Sequence, residues 1–177
     1  MDGSLVDSMW IWKQIDIEYL SKYGYDSSDK AIAEFQANIE GMSFRETAEY
    51  MHEHFDIPRT AEDMMDDWNL MAWEKYEKEV FLKTGAYEFL LECKNRGILL
   101  GIASSNSREL VDNVIQARHL EGLFQVIITG SDGLPGKPAP DMYLEAAKKL
   151  GVKPMNCLVF EDIPKGITAG KEAGMRV

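Results

Sequence analysis

The sequence predicts an α/β protein: a parallel-sheet core with a block of helices inserted near its front. Three observations carry this expectation. Residues 84–177 alternate short, nearly continuous apolar runs with helical stretches, the pattern of strand–helix–strand crossovers. Residues 9–83 hold one helical stretch after another and no convincing strand. Each apolar run is followed at once by small, polar or acidic residues, and ligands of parallel sheets bind at the carboxyl ends of the strands.

The elements follow in order. Met9 to Tyr23 sets Trp10, Ile11, Ile15, Tyr19 and Leu20 close to helical spacing. Gly24 to Ser28 breaks that helix, and Ser27 or Ser28 caps the next one, which runs to about Glu40. Gly41-Met42-Ser43 is a second break, with Ser43 and Glu46 at capping-box spacing. Pro58-Arg59-Thr60 opens a longer helix, rich in Met and Trp, to about Lys83. Ala86 to Asn95 reads as helix and Gly97 ends it. Ile98 to Ala103 has the continuous apolar character of a strand buried on both faces. Ser107 to His119 is helix, Phe124 to Thr129 a second strand, and Pro140 to Leu150 helix. Cys157 to Phe160 is a third strand, Gly166 to Ala173 a last helix, and Met175 to Val177 the start of a further strand.

Composition narrows the function classes. The chain has 177 residues, enough for one core with a modest inserted module. With 30 acidic against 19 basic side chains its formal charge is −11, which argues against a nucleic-acid backbone or an anionic membrane as partner. A small phosphorylated ligand remains compatible, because one positive pocket can sit in a negative field. Cys93 and Cys157 share no metal-ligand spacing and read as reduced thiols, which suits a cytoplasmic location. The polar, acidic N-terminus does not read as a signal peptide.

Four segments hold residues fit for chemistry, and each also has a plain structural reading. Gly136-Lys137-Pro138-Ala139-Pro140-Asp141 is a rigid turn before a helix, or a loop presenting one ammonium group. Glu161-Asp162 directly after an apolar run is a solvated loop start, or a pair of oxygen ligands for Mg²⁺. Ser104 is a helix cap, or part of a phosphate cradle together with nearby backbone N–H groups. Asp2-Gly3 is a turn, or a catalytic loop. Order separates the readings better than any single segment does. Asp-Gly-Ser-x-x-Asp-Ser at the front is followed by an apolar run plus Ser104, then Gly-Lys-Pro-x-Pro-Asp, then an apolar run plus Glu-Asp with Gly166 downstream.

That series resembles the motifs of the haloacid dehalogenase (HAD) phosphohydrolases. "GILLGIASSNS" at 97–107 and "VFEDIPKGITAGKEAGM" at 159–175 are similar to the subgroup holding β-phosphoglucomutases and phosphoglycolate phosphatases. The resemblance implies a Rossmann-like core from residues 1–8 and 84–177, with residues 9–83 as an inserted α-helical cap. It implies a Mg²⁺-dependent phosphatase for a small phosphorylated metabolite, working through an aspartyl-phosphate. Asp2 matches the general acid–base, and its backbone carbonyl would face the metal. Asp162 matches a metal ligand, supported by Glu161. Lys137 and Ser104 would neutralise and hydrogen-bond the phosphoryl oxygens, and Ser105 and Asn106 would help bind substrate. Asp7 and Ser8 would shape the loop into the cap. Trp12 stands near the hinge position where β-phosphoglucomutases tend to carry a His. Arg45 lies near, but displaced from, their second phosphate-gripping Arg. Those departures place a phosphatase ahead of a sugar-phosphate mutase.

The family's nucleophilic Asp would sit immediately before Met1, at the end of a central strand. The resemblance therefore implies a fragment or a misplaced start, with a gap in the sheet between the Ile98 and Cys157 runs. As given, the chain is expected to be inactive. The other expectation is a catalytically dead HAD-like domain that binds a phosphorylated ligand or a partner. The expected assembly is a monomer or a weak dimer.

Overall fold

The computed structural model describes residues 1–26, 30–39 and 44–177. Several expected features lie outside the described residues: the cap at Ser27 or Ser28, the helix end at Glu40, and the Gly41-Met42-Ser43 break with its capping Ser43. The chain divides into two compact units, Met9–Lys75 and a core made of Met1–Ser8 with Tyr76–Val177.

The helical unit holds α1 (Met9–Ser21), α2 (Lys30–Asn38), α3 (Phe44–His54) and the greater part of α4 (Ala61–Lys78). The apolar positions of α1 that set its period, Ile11, Ile15, Tyr19 and Leu20, are all buried. Met64 and Trp68 of α4 are buried as well, with Tyr19 and Trp68 edge-on at 5.8 Å. Thr60 begins α4 with a reciprocal cap: its Oγ1 accepts from the Asp63 N–H at 3.1 Å, and the Asp63 carboxylate accepts from the Thr60 N–H at 3.3 Å. Met51, Met64 and Trp68 are buried among these helices, whereas Met9 and Trp73 are exposed.

The core unit contains α5 (Ala86–Asn95), β1 (Gly101–Ala103), α6 (Arg108–Ala117), β2 (Val126–Ile128), α7 (Asp141–Leu150) and α8 (Pro164–Glu172). β1 and β2 are parallel, with Gly101 opposite Val126 and Ala103 opposite Ile128. The α7 helix packs on both strands, burying Met142 and Ala146 against Ile128. Ser107 caps α6 by accepting from the Leu110 N–H at 3.4 Å. Gly151, in the left-handed region at φ 70°, ends α7.

Two expectations need correction. The long helix stops at Lys78, not Lys83. Beyond it, Phe81 to Lys83 run extended beside the front loop: the Asp7 N–H donates to Phe81 O at 3.0 Å and the Lys83 N–H to Leu5 O at 2.9 Å. The strands are also shorter than the apolar runs. Ile98 and Leu99 stay outside β1 and are about half exposed, and Cys157 to Phe160 makes only a single parallel bridge, Leu158 with Arg176. The physical reason is that a strand needs a ladder partner as well as apolar side chains. Among the described residues no ladder joins β1 to the Cys157 run.

Candidate active site

The chain bends sharply at the front. Gly3 has φ 64° and takes a conformation that a side chain disfavours, and any Cβ there would collide with the Asp162 carboxylate. Ser4 Oγ donates to Asp162 Oδ1 at 3.3 Å. The first loop is thus pressed onto the loop that follows the Cys157 run.

Asp2 itself turns the other way. Its Oδ1 accepts from Ser8 Oγ at 2.5 Å and from the Tyr76 hydroxyl, and its Oδ2 accepts from Asn106 Nδ2 at 2.9 Å. Asn106 Nδ2 also donates to Tyr76 Oη at 3.2 Å. Three side-chain donors therefore fix the plane of one carboxylate. Burial, followed by the neighbouring Asp2 charge and hydrogen bond, raises the Tyr76 hydroxyl well above the ordinary tyrosine range, so it stays a donor.

Asn106 comes from the loop after β1. Ser104, buried at the end of the strand, donates its N–H to Ile128 O at 2.9 Å, and its Oγ accepts from the Asn106 N–H at 3.3 Å. That leaves the Ser104 hydroxyl proton free to donate. Ser105 is exposed. The loop after β2 closes over this one: the Gly130 N–H donates to Asn106 O at 2.8 Å, and a Cβ at Gly130 would collide with the Ser105 carbonyl. Asp132 in that second loop caps its own turn, accepting from the Thr129 N–H at 2.6 Å and the Thr129 hydroxyl at 2.8 Å. It belongs to the scaffold.

Lys137 is delivered to the same strand end. Its Nζ donates to Ala103 O at 3.1 Å and pairs with Glu161, and the Tyr143 hydroxyl donates to the same Glu161 oxygen. The Lys137 and Glu161 side chains are only 7% and 5% exposed. Burial pushes the Glu161 carboxyl up, but the hydrogen bonds from Lys137 and Tyr143 outweigh it and hold the group below its ordinary range. A Cβ at Gly166 would meet the other oxygen of Glu161, so the first turn of α8 must be bare there.

These contacts close a ring: Asp2 to Asn106, the Ser104 loop, Lys137 beside Ala103, Glu161, Asp162, and back to Gly3 and Ser4. The expected core residues Asp2, Ser104, Ser105, Asn106, Lys137, Glu161 and Asp162 all lie in it. Trp12 and Arg45 belong to the helical unit. There Trp12 sits edge-on to Phe44 at 5.4 Å, and Arg45 is exposed and paired with Glu62 at 2.7 Å. The sequence reading missed Tyr76 and Tyr143. Tyr143 follows the Gly-Lys-Pro loop on the first turn of α7, which is a usable local signal. Tyr76 lies 74 positions from its partner, and nothing local marks it.

A cavity of about 250 Å³ opens beside Ser4, Glu161 and Asp162, with Val159 and Phe160 as its apolar wall. Its donors are all oxygens, which fits a hard divalent cation. Among the described residues no three acidic, His or Cys side chains converge, so backbone carbonyls would have to complete such a site.

Known proteins share the sequence and fold of this chain along its length. The family model "Haloacid dehalogenase-like hydrolase" matches residues 1–177. A Drosophila melanogaster protein named "Probable pseudouridine-5'-phosphatase" is 31% identical over 194 aligned positions, covering 100% of this chain and 77% of that protein. Hexitol phosphatase B of Escherichia coli K12 is 28% identical over 178 positions, covering 99% of this chain and 78% of that protein. The crystal structure of a HAD hydrolase, family IA, variant 3, from Entamoeba histolytica superposes with a TM-score of 0.83 at 29% identity, covering 99% of this chain and 78% of the other. With a parallel-sheet core, a helical segment inserted after the first loop and a family match along its whole length, the chain belongs to the haloacid dehalogenase-like hydrolases, an enzyme family in which its named relatives are phosphatases.

Proposed function

We propose that the protein is a Mg²⁺-dependent phosphatase of small phosphate monoesters, acting through an aspartyl-phosphate. The observation that supports this best is the closed ring of contacts around the carboxyl end of β1. It gathers an acid, a hydroxyl, an ammonium group and two further carboxylates from distant parts of the chain. The family motif sets its nucleophilic carboxylate two positions ahead of the residue that Asp2 matches, and the activity is proposed for a chain that carries an Asp at that place.

In this reading Lys137 Nζ and the Ser104 hydroxyl meet the phosphoryl oxygens and offset the charge they carry in the transition state. Asp2 hands a proton to the departing oxygen, then takes one from the water that cleaves the acyl phosphate. Glu161, Asp162 and the Asp2 carbonyl would hold the cation, which supplies charge neutralisation at the phosphate when bound. The helical unit, Met9–Lys75, acts as a cap, and Trp12 beside Phe44 contributes to the choice of leaving group. The names of the fly and E. coli relatives, a pseudouridine-5'-phosphatase and a hexitol phosphatase, support a small phosphorylated metabolite as substrate. Arg45 is engaged with Glu62, which counts against the mutase role of gripping a second phosphate.

The test is turnover of p-nitrophenyl phosphate and a panel of alkyl phosphates, with and without Mg²⁺, by the chain extended at its N-terminus so that an Asp stands two positions ahead of Asp2. Asp2→Asn is expected to lower kcat on the alkyl esters by about 100-fold or more. Turnover indifferent both to Mg²⁺ and to this substitution would refute the reading.

A further inference from the structure

The chain leaves the core unit after Ser8 and re-enters it at Tyr76. Both residues donate to the same oxygen of Asp2. Tyr76 is fully buried, and a phenylalanine would fill the same space without a hydroxyl to satisfy. A buried hydroxyl is costly unless paired, and the partners of this one are Asp2 and Asn106.

The ring is also anchored from below. Tyr76 stands in the last turn of α4, whose carbonyls lack helical partners. Arg118, from the turn after α6, supplies them: its Nη2 donates to Tyr76 O at 3.1 Å and Glu77 O at 2.8 Å. The guanidinium also lies over the Phe81 ring, 4.7 Å from its centroid. The place of Tyr76 is therefore set within the core unit. Without its hydroxyl, Oδ1 of Asp2 would keep Ser8 alone, and Asn106 would lose one of its two acceptors.

We propose that Tyr76 is a positioning residue for Asp2: anchored through Arg118, its hydroxyl holds the carboxylate in the orientation from which a proton passes to the leaving oxygen. This rests on the phosphatase reading above. It concerns one step, protonation of the alcohol as the phosphorus–oxygen bond breaks, and that step matters in proportion to the basicity of the leaving group. p-Nitrophenolate departs without a proton, whereas an alkoxide does not.

The experiment compares the parent chain and Tyr76→Phe, both extended so that an Asp stands two positions ahead of Asp2, on p-nitrophenyl phosphate and on the best-hydrolysed alkyl phosphate of the panel. The expected result is a kcat loss of about 10-fold or more on the alkyl ester, within about 3-fold on the aryl ester, and little change in either KM. Equal losses on both esters, or no loss on either, would overturn the assignment, since a merely structural role does not sense the leaving group. Circular dichroism checks the fold. If Tyr76→Phe does not fold, Arg118→Met, which frees the turn carrying Tyr76, must show the same ester-selective loss or the assignment falls. A parent chain that hydrolyses neither ester refutes the phosphatase reading itself, and this inference with it.

Discussion

Asp2 in the core unit is partly buried and Asp16 in the helical unit is buried, and their surroundings differ in kind. Asp2 is held by three side-chain donors. Asp16, on α1 one turn after Trp12 and one turn before Tyr19, is 7% exposed and has no hydrogen-bond partner among the described residues. Burial alone raises its carboxyl to about 7. The core unit surrounds Asp2 and Glu161 with side-chain donors. At Asp16 burial instead favours the protonated form, whereas Asp67 in the same unit is partnered by Tyr19 and Arg59.

Breaking a well-partnered acid is the strongest way to probe that contrast. Lys137→Met would leave Glu161 as a buried charge without its counter-ion and cost about 3–5 kcal/mol in chemical denaturation. Adding Glu161→Leu should recover most of that loss. If the double variant is no better than the single one, the pair is not the source of the cost.

The opposite change should help the unpartnered acid. Asp16 has a folded-state pKa raised from 3.8 to about 7. Below about pH 4 both states carry the proton and nothing is lost. Between about pH 4 and 7 the unfolded chain ionises first, so stability falls as pH rises, and above that window the full penalty applies. Asp16→Asn should therefore add roughly 2–4 kcal/mol at pH 8 and almost nothing at pH 4. A gain independent of pH would show that packing, not ionisation, governs this site. The smallest effect is expected at the exposed Arg45–Glu62 pair. Arg45→Ala should leave the melting temperature unchanged within error, because exposed ion pairs are screened and mobile.

The same contrast explains what the sequence revealed. Strand ends were legible at Ser104 and Glu161 because the switch from apolar run to polar residue is local. Lys137 and Asp162 were legible through motif order. Strand lengths were over-read at Ile98 and Leu158, because apolar runs carry no record of which backbone lies beside them. Tyr76 was invisible in a helix rich in Met and Trp, where one more ring looks like packing. Asp16 was passed over because a polar residue in an amphipathic helix is ordinarily solvated, whereas here it continues the stripe through Trp12 and Tyr19.

One close approach in the core has an evolutionary consequence. The loops after β1 and β2 touch backbone to backbone at Gly130, with no room for a single methyl group beside the Ser105 carbonyl. Residues 104–106 and position 130 should therefore change as a set among natural variants. A relative with a side chain at 130 is expected to carry an altered length or conformation after β1. Natural variation at this one glycine would then report on the shape of the Ser104–Asn106 loop.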